Sequence, residues 1–209
     1  MPEIEDFFDE IDDNRSRRAR ELSEIKRRFT RGEGDTFGIG SKAVVVLSYA
    51  HWEGFYNDCV KSYVYFLRTN GGRMREADWM MLVGALSSQF QSLYDRKHSH
   101  EARREFIEHF REILECGYDR FDSEVVQARS NLDFCRLQGN YDILKFDVQR
   151  LQRYRLRIDH EIVSWRHQVA HGDQPDLSQL DVEKHIDLVS GLLLIIADQF
   201  QEAMLTRLI

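Results

Sequence analysis

The sequence predicts an all-α protein, an up-and-down helical bundle with one additional N-terminal helix, on three observations. Composition is the first: 42% hydrophobic and 31% charged residues with only 2 prolines in 209 exclude a disordered, collagen-like or fibrous chain and disfavour a mostly β one. Periodicity is the second, because apolar side chains recur at spacings of three, four and seven along most of the chain. Size is the third. A chain this long makes one ordinary domain that buries roughly 70% of its unfolded surface, so it needs neither metal nor disulfide to fold. No internal repeat or low-complexity tract interrupts the pattern.

Taken in order, the first 31 residues divide into an acidic block, seven carboxylates up to Asp13, and a basic one, eight Lys or Arg from Arg15 to Arg31 against Glu21 and Glu24. Such segregation reads either as a solvated helix whose charges pair, or as a basic arm for RNA phosphates. GEGDTFGIG, from Gly32 to Gly40, lacks the spacing of a Walker loop and reads as a hinge. The chain thus divides into a charged helical arm with its hinge, residues 1–40, and a helical domain, residues 41–209.

SKAVVVLSYAHWEGFYNDCVKSYVYFL, Ser41 to Leu67, is apolar on most faces and is the expected central helix, although Val44 to Val46 would also suit a strand. Its apolar breadth exceeds what one bundle face needs and so points to a homodimer. Helical spacing continues through Trp79, Leu82, Val83, Leu86, Phe90 and Leu93, through Phe106, Phe110, Ile113 and Leu114, and more weakly over Val125 to Leu137. Gly139 and Asn140 read as a turn. A stripe from Leu144 to Val169 follows, as one helix or as two with a break at YRLRID, and Gly172, Asp173 and Pro175 end it. Ser178 with Asp181 resembles a capping box for a closing helix through Val182, Ile186, Val189, Leu193, Ile196, Phe200 and Met204.

The 36 acidic and 29 basic side chains leave a net charge of -7, which rules out a uniformly basic coat; any nucleic-acid contact must be local. Cys59, Cys116 and Cys135 are odd in number and set in amphipathic stretches, and read as buried thiols of a reducing compartment. The acidic start MPEIEDFFDEIDD does not suit a signal peptide, and the longest apolar stretch, Leu192 to Ala197, stops at Asp198. The expectation is a soluble cytoplasmic protein with no membrane partner.

Chemistry concentrates in SWRHQVAHGD, Ser164 to Asp173, which sets Arg166, His167 and His171 beside a helix-ending glycine. Arginine offers a permanently charged fork for phosphate and histidine moves a proton near neutral pH, which together suit metal-free RNA cleavage. Two other readings compete. His160, His167 and His171 share one face of an unbroken helix and so could hold a metal, and the same residues could merely suit a helix C-terminus. Glu53, in the most apolar helix, calls for a basic partner or a contact to Arg166 or His171. Trp52, Phe55, Tyr56, Tyr63 and Phe66 read as core or interface rather than base-stacking platforms. Lys145, Arg150, Arg153, Arg155 and Arg157 against Asp147 form the best local candidate for RNA backbone, or else a solvated face.

RHQVAHG resembles the R-x4-6-H motif of HEPN domains, helical domains found in many bacterial ribonuclease toxins and defence proteins. The tyrosine, Trp-Glu-Gly and aromatic pattern of AVVVLSYAHWEGFYNDCVKSYVYFL is similar to the first core helix of a bacterial branch of that superfamily. The resemblance covers residues 41–67 and 141–205 well, residues 70–136 by helical character alone, and residues 1–40 not at all. It implies a HEPN-like bundle that dimerises with two motif copies lining one cleft and uses no metal or other cofactor. In such a cleft Arg166 would hold the scissile phosphate of RNA, and His171 would transfer a proton or position the phosphate as the 2'-hydroxyl attacks. His167 stands where the family commonly has Asn, Asp or His and would orient or assist. A place in a toxin-antitoxin or antiviral defence system follows, with an antitoxin or another defence protein as partner. The alternative implied by the same resemblance is a non-catalytic HEPN-like dimerisation module that binds RNA or a protein.

Overall fold

The computed structural model describes residues 3–30, 38–129 and 131–208, so the hinge read in the glycine cluster lies outside the described residues but for its last three positions. The described residues are helical and contain no strand. Helix α1 (Ile4–Phe29) starts at Glu3, whose N–H is accepted at 2.8 Å by the Asp6 side chain. Acid in its first turn and Lys26, Arg27 and Arg28 in its last oppose the helix dipole at both ends, which gives the segregated charges a local reason. Most of the cations pair. Arg17 binds Glu21 and both Arg27 and Arg28 bind Glu24 within the helix, while Arg18 reaches Asp58 at 2.7 Å. The apolar stripe Phe7, Ile11, Leu22 and Ile25 is buried, so this helix is part of the core.

Helix α2 (Ile39–Asn70) is continuous through Val44 to Val46, and its all-round apolarity is consumed inside the chain. Helix α1 covers one side and the closing helix, α7 (Val182–Leu208), another. Only Ile39, Val46, Leu47 and Tyr65 remain as exposed large apolar side chains on α2. The breadth of that helix therefore answers to three-sided packing and supplies no argument for a dimer. Gly54 has its own reason: a Cβ there would lie 3.0 Å from both terminal nitrogens of Arg18, whose guanidinium crosses α2 at that point on its way to Asp58.

The middle of the chain departs from the simple stripe. Residues 74–86 form short turns, and the run resumes as α3 (Ser87–Asp95). Gly84 meets the Phe121 ring so closely that a Cβ would sit 2.5 Å from it, and its carbonyl accepts the Asp122 N–H at 3.1 Å. The expected helix is interrupted here, and Trp79 and Phe90 stay exposed, set against the Phe110 and Phe106 rings. Helix α4 (His100–Glu115) is capped by Ser99, which accepts the Ala102 N–H. Of the stretch Val125 to Leu137, residues 125–129 and 131–133 are a turn and an irregular strap, and residues 134–137 open α5 (Phe134–Leu144), capped by Asp133. Gly139 and Asn140 lie within α5 rather than in a turn, because the buried Asn140 amide donates to the Val126 and Gln127 carbonyls of the strap. The turn comes at Lys145, in the left-handed region at φ 62°.

Helical turns at Gln149–Gln152 and Arg155–Arg157 lead into a π-helix, Ile158–Ser164, and then α6 (Trp165–Ala170). The interruption thus falls beside and within YRLRID. Asp181 caps α7 by accepting the Lys184 N–H at 3.1 Å, whereas Ser178 donates its N–H to Asp176 and caps nothing on that helix. Val182–Arg207 is long and apolar enough to cross a membrane by composition alone, yet Ile186, Val189, Leu193, Ile196, Phe200 and Met204 are buried as in a core helix. Of the three free thiols only Cys59 is buried; Cys116 is half-buried and Cys135 exposed, which corrects the expectation for both.

His185 on α7 is 1% exposed, and neither ring nitrogen has a hydrogen-bond partner. Burial pushes its pKa down to about 4, aided by Arg157 and opposed by Glu161. At neutral pH it is therefore a neutral imidazole, and the 4.0 Å approach of Glu161 is not an ion pair. Two outcomes follow from this packing. Leu22→Ala should cost about 3 kcal/mol of global stability in urea unfolding, with one cooperative transition; a loss near zero would mean that α1 is not part of the cooperative core. Because unfolded His185 binds a proton below about pH 6.5 and folded His185 only near 4, stability should fall with decreasing pH across that window. Unfolding curves of His185→Leu should lack that part of the slope while matching the wild type's pH dependence above pH 7.

Candidate functional site

Helix α6 ends at the motif histidine by a Schellman arrangement. Gly172 takes φ +83°, its N–H bonds the Val169 carbonyl at 3.2 Å, and the Asp173 N–H bonds the Gln168 carbonyl at 2.9 Å. His171 is the last residue before that turn, and its exposed ring lies 4.3 Å from the exposed ring of His167. Two proton-transfer groups thus stand side by side at an open helix end.

Arg166 points elsewhere. Its guanidinium lies over the Tyr49 ring, 4.1 Å from ring centre to guanidinium carbon, and its Nη1 donates to the Asn131 side-chain oxygen at 2.9 Å. Among the described residues no hydrogen bond joins Arg166 to His171, so one chain holds the motif's two ends apart. The cradle is built from α2. Tyr49, Trp52, Tyr56 and Asn57 share one face of that helix and bond the strap: Tyr49 accepts the Leu132 N–H, Trp52 donates to the Leu132 carbonyl, Tyr56 donates to the Val126 carbonyl and Asn57 accepts the Ala128 N–H. Those bonds fix the segment that presents Asn131.

Glu53 stands one turn from Tyr49 and is hydrogen-bonded to its hydroxyl; burial first and this carboxylate second push the tyrosine pKa well above its ordinary range. The expected basic partner of Glu53 is missing among the ion pairs of the described residues, and its Oε2 is buried with no hydrogen-bond partner. It reaches Arg166 only through Tyr49. Asn131 escaped the sequence reading because an irregular strap carries no periodicity. Tyr49 was visible only as part of the central-helix pattern.

The arginine run divides. Arg150 binds Glu202 at 2.8 Å and Arg157 makes a two-pronged bond to Glu161 at 2.6 and 2.9 Å. Arg153 and Arg155 are exposed and lie over the rings of Tyr154 and Phe134, with no ion pair among the described residues. Lys145 approaches Asp78 at 3.7 Å. Of the histidine face, His160 packs edge-on against Trp165 with ring centres 5.4 Å apart, because the π-helix between it and the motif alters the angular register. Among the described residues no group of three or more His, Cys, Asp or Glu is placed to share a metal ion.

No curated protein and no solved structure matches the chain. Residues 13–202, most of the chain and including the greater part of α1, match the RiboL-PSP-HEPN family. With an all-helical bundle around a central helix and a closing helix, the chain belongs to that family of HEPN domains.

Proposed function

We propose that the chain is an endoribonuclease that cleaves RNA without a metal, acting as a homodimer whose two motif segments complete one cleft. The observation that carries this reading is the arrangement of RHQVAHG: a held guanidinium on one side, two exposed imidazoles 4.3 Å apart on the other, at an open helix end. Arg166 binds the scissile phosphate and stabilises charge as the 2'-oxygen adds to phosphorus. One imidazole, that of His171, takes the 2'-hydroxyl proton or returns one to the departing 5'-oxygen, and His167 orients or assists it. The P–O5' bond breaks as the 2'-oxygen bond forms, leaving a 2',3'-cyclic phosphate. Helix α1 shares one core with the rest of the catalytic domain, so the domain includes it together with residues 41–209. Glu53 positions Arg166 through Tyr49, and Arg153 and Arg155, with Arg150 and Arg157 exchanging their carboxylate partners for phosphate, track the RNA backbone. A cytoplasmic bacterial toxin or defence effector, neutralised by an antitoxin, fits such an enzyme.

One observation favours a second reading. Within one chain Arg166 is already occupied by Asn131 and Tyr49 and does not meet His171. A module that dimerises and binds RNA or a protein without cleaving it would need no such meeting.

Cleavage assays separate the two. Arg166→Ala and His171→Ala should each lose about a hundredfold or more in rate while cleavage by the wild type persists in excess EDTA, ends in a cyclic phosphate and fails on DNA. Arg166→Ala should also cost about 1 kcal/mol of stability, having lost a cation–π contact and a hydrogen bond. A wild-type protein inert on every RNA supports the binding module, and activity restored by zinc after EDTA removes the mechanism. Replacing Arg153 and Arg155 together by alanine should reduce the slope of log affinity against log salt by about 1.4 units for any single-stranded sequence. An unchanged slope assigns both to a solvated face.

A further inference from the structure

The end of α6 carries two histidines four residues apart, a spacing that sets side chains one above the other on a helix face. The ring centres of His167 and His171 are 4.3 Å apart, and both residues are exposed. Among the described residues no hydrogen bond or ion pair engages either ring, so each neutral imidazole keeps a lone pair free. The backbone beneath them is fixed, since the His171 N–H bonds the His167 carbonyl at 3.1 Å and the chain turns away at Gly172. The neighbouring cation is held elsewhere, on the Tyr49 ring and the Asn131 side chain. Imidazoles that share a metal ion at about 2.1 Å from each nitrogen have ring centres about 5 Å apart. A small rotation of two exposed side chains covers the difference.

We propose that His167 and His171 form a two-pronged site for one divalent transition-metal ion of the zinc, nickel and copper class, and that the bound ion stops RNA cleavage. The second half rests on the ribonuclease reading above; the first does not. Imidazole nitrogen suits those ions, whereas magnesium and calcium demand oxygen ligands and are not taken. No third His, Cys, Asp or Glu joins the pair among the described residues, so water fills the remaining positions. A site open on that side binds its ion reversibly, unlike the closed four-ligand site of a structural zinc. The inhibition follows from the electron pair. A ring nitrogen that has given its lone pair to a metal cannot accept the 2'-hydroxyl proton or carry one to the departing 5'-oxygen. One ion therefore silences both imidazoles of the motif at once, and it does so without touching Arg166.

The test titrates the full chain with nickel chloride and zinc chloride, with magnesium chloride as the hard-ion contrast, and reads the ring proton signals of the histidines. Nickel should broaden the His167 and His171 signals ahead of those of the other exposed histidines, His98, His100, His109 and His160, and magnesium should leave all of them unchanged. Because the two imidazoles act as one ligand, His167→Ala and His171→Ala should each weaken nickel binding about a hundredfold, and His160→Ala should leave it as it is. Both pair variants replace exposed side chains and should fold as the wild type does. In the cleavage arm, zinc at the concentration that saturates the pair should abolish the wild type's activity, EDTA should restore it, and magnesium should do nothing. Residual cleavage by His167→Ala should need about a hundredfold more zinc to stop. No broadening at the pair, or an affinity unchanged in His171→Ala, overturns the site and leaves the ribonuclease reading standing. An equal loss of affinity in His160→Ala overturns the two-residue site as well. Full-rate cleavage with the pair saturated overturns the inhibition. Nickel bound at the pair of a chain that cleaves no RNA removes the ribonuclease reading and supports the site.

Discussion

Everything near the motif depends on one set of hydrogen bonds, those from the polar stripe of α2 to the backbone at Val126, Ala128 and Leu132. Tyr49, Trp52, Tyr56 and Asn57 are buried or half-buried polar groups on an otherwise apolar helix, and each is satisfied by a peptide group of the strap. The need is mutual, because an irregular segment crossing a core has peptide groups that no helix ladder can satisfy. Asn140 closes the same arrangement from α5. The consequence is that Asn131 is delivered to Arg166 by a rigid scaffold. A loosened strap would free the guanidinium and expose the underside of α2 together.

The same helix explains why α1 packs as it does. A helix apolar on most faces requires partners on several sides, and α1 and α7 together supply two of them. The charges on α1 then tie it down at the rim: Arg18 to Asp58 of α2, and Lys26 to Glu183 and Asp187 of α7, at 3.1 and 2.8 Å. The Lys26 pairs are at the surface and contribute little, while the Arg18 side chain is mostly covered where it meets Asp58; the pairs set orientation, and Phe7, Ile11, Leu22 and Ile25 provide most of the stabilisation.

What the residues disclosed in advance follows this division between periodic and irregular structure. The central and closing helices and the end of α6 at Gly172 were legible, since each is written as a long apolar stripe or a φ-positive glycine. The stretch from residue 74 to 133 was not, because its breaks come from tertiary contacts such as Gly84 against Phe121, which local spacing does not encode. Asn140 illustrates the failure best: a turn former by type, it is held in a helix by two carbonyls more than ten residues away. In the site, Arg166, His167 and His171 stood out by chemistry, whereas Asn131 belongs to it only through the fold. The membership of the cationic run was visible but its pairing was not, since Glu202 and Glu161 reach two of those arginines from different elements or a turn away.

The π-helix before the motif gives these separate features a common geometry. A π-turn closes its bond from the Trp165 N–H to the His160 carbonyl, five residues back, and so spends one residue more per turn than an α-helix. That extra residue rotates everything after it relative to everything before. His160 is thereby brought against Trp165 instead of in line with His167, which dissolves the three-histidine face that an ideal helix would make. Trp165 faces Val45, Leu177 and His185, and Arg166, the next residue, faces Tyr49 and the strap. Two neighbouring residues therefore belong to two different walls, the first apolar and the second formed by Tyr49 and the strap. Removing a residue from Ile158–Ser164 would restore α-helical register, but it would turn either Trp165 out of the core or Arg166 away from Tyr49, which is the physical reason for the π-helix to persist here.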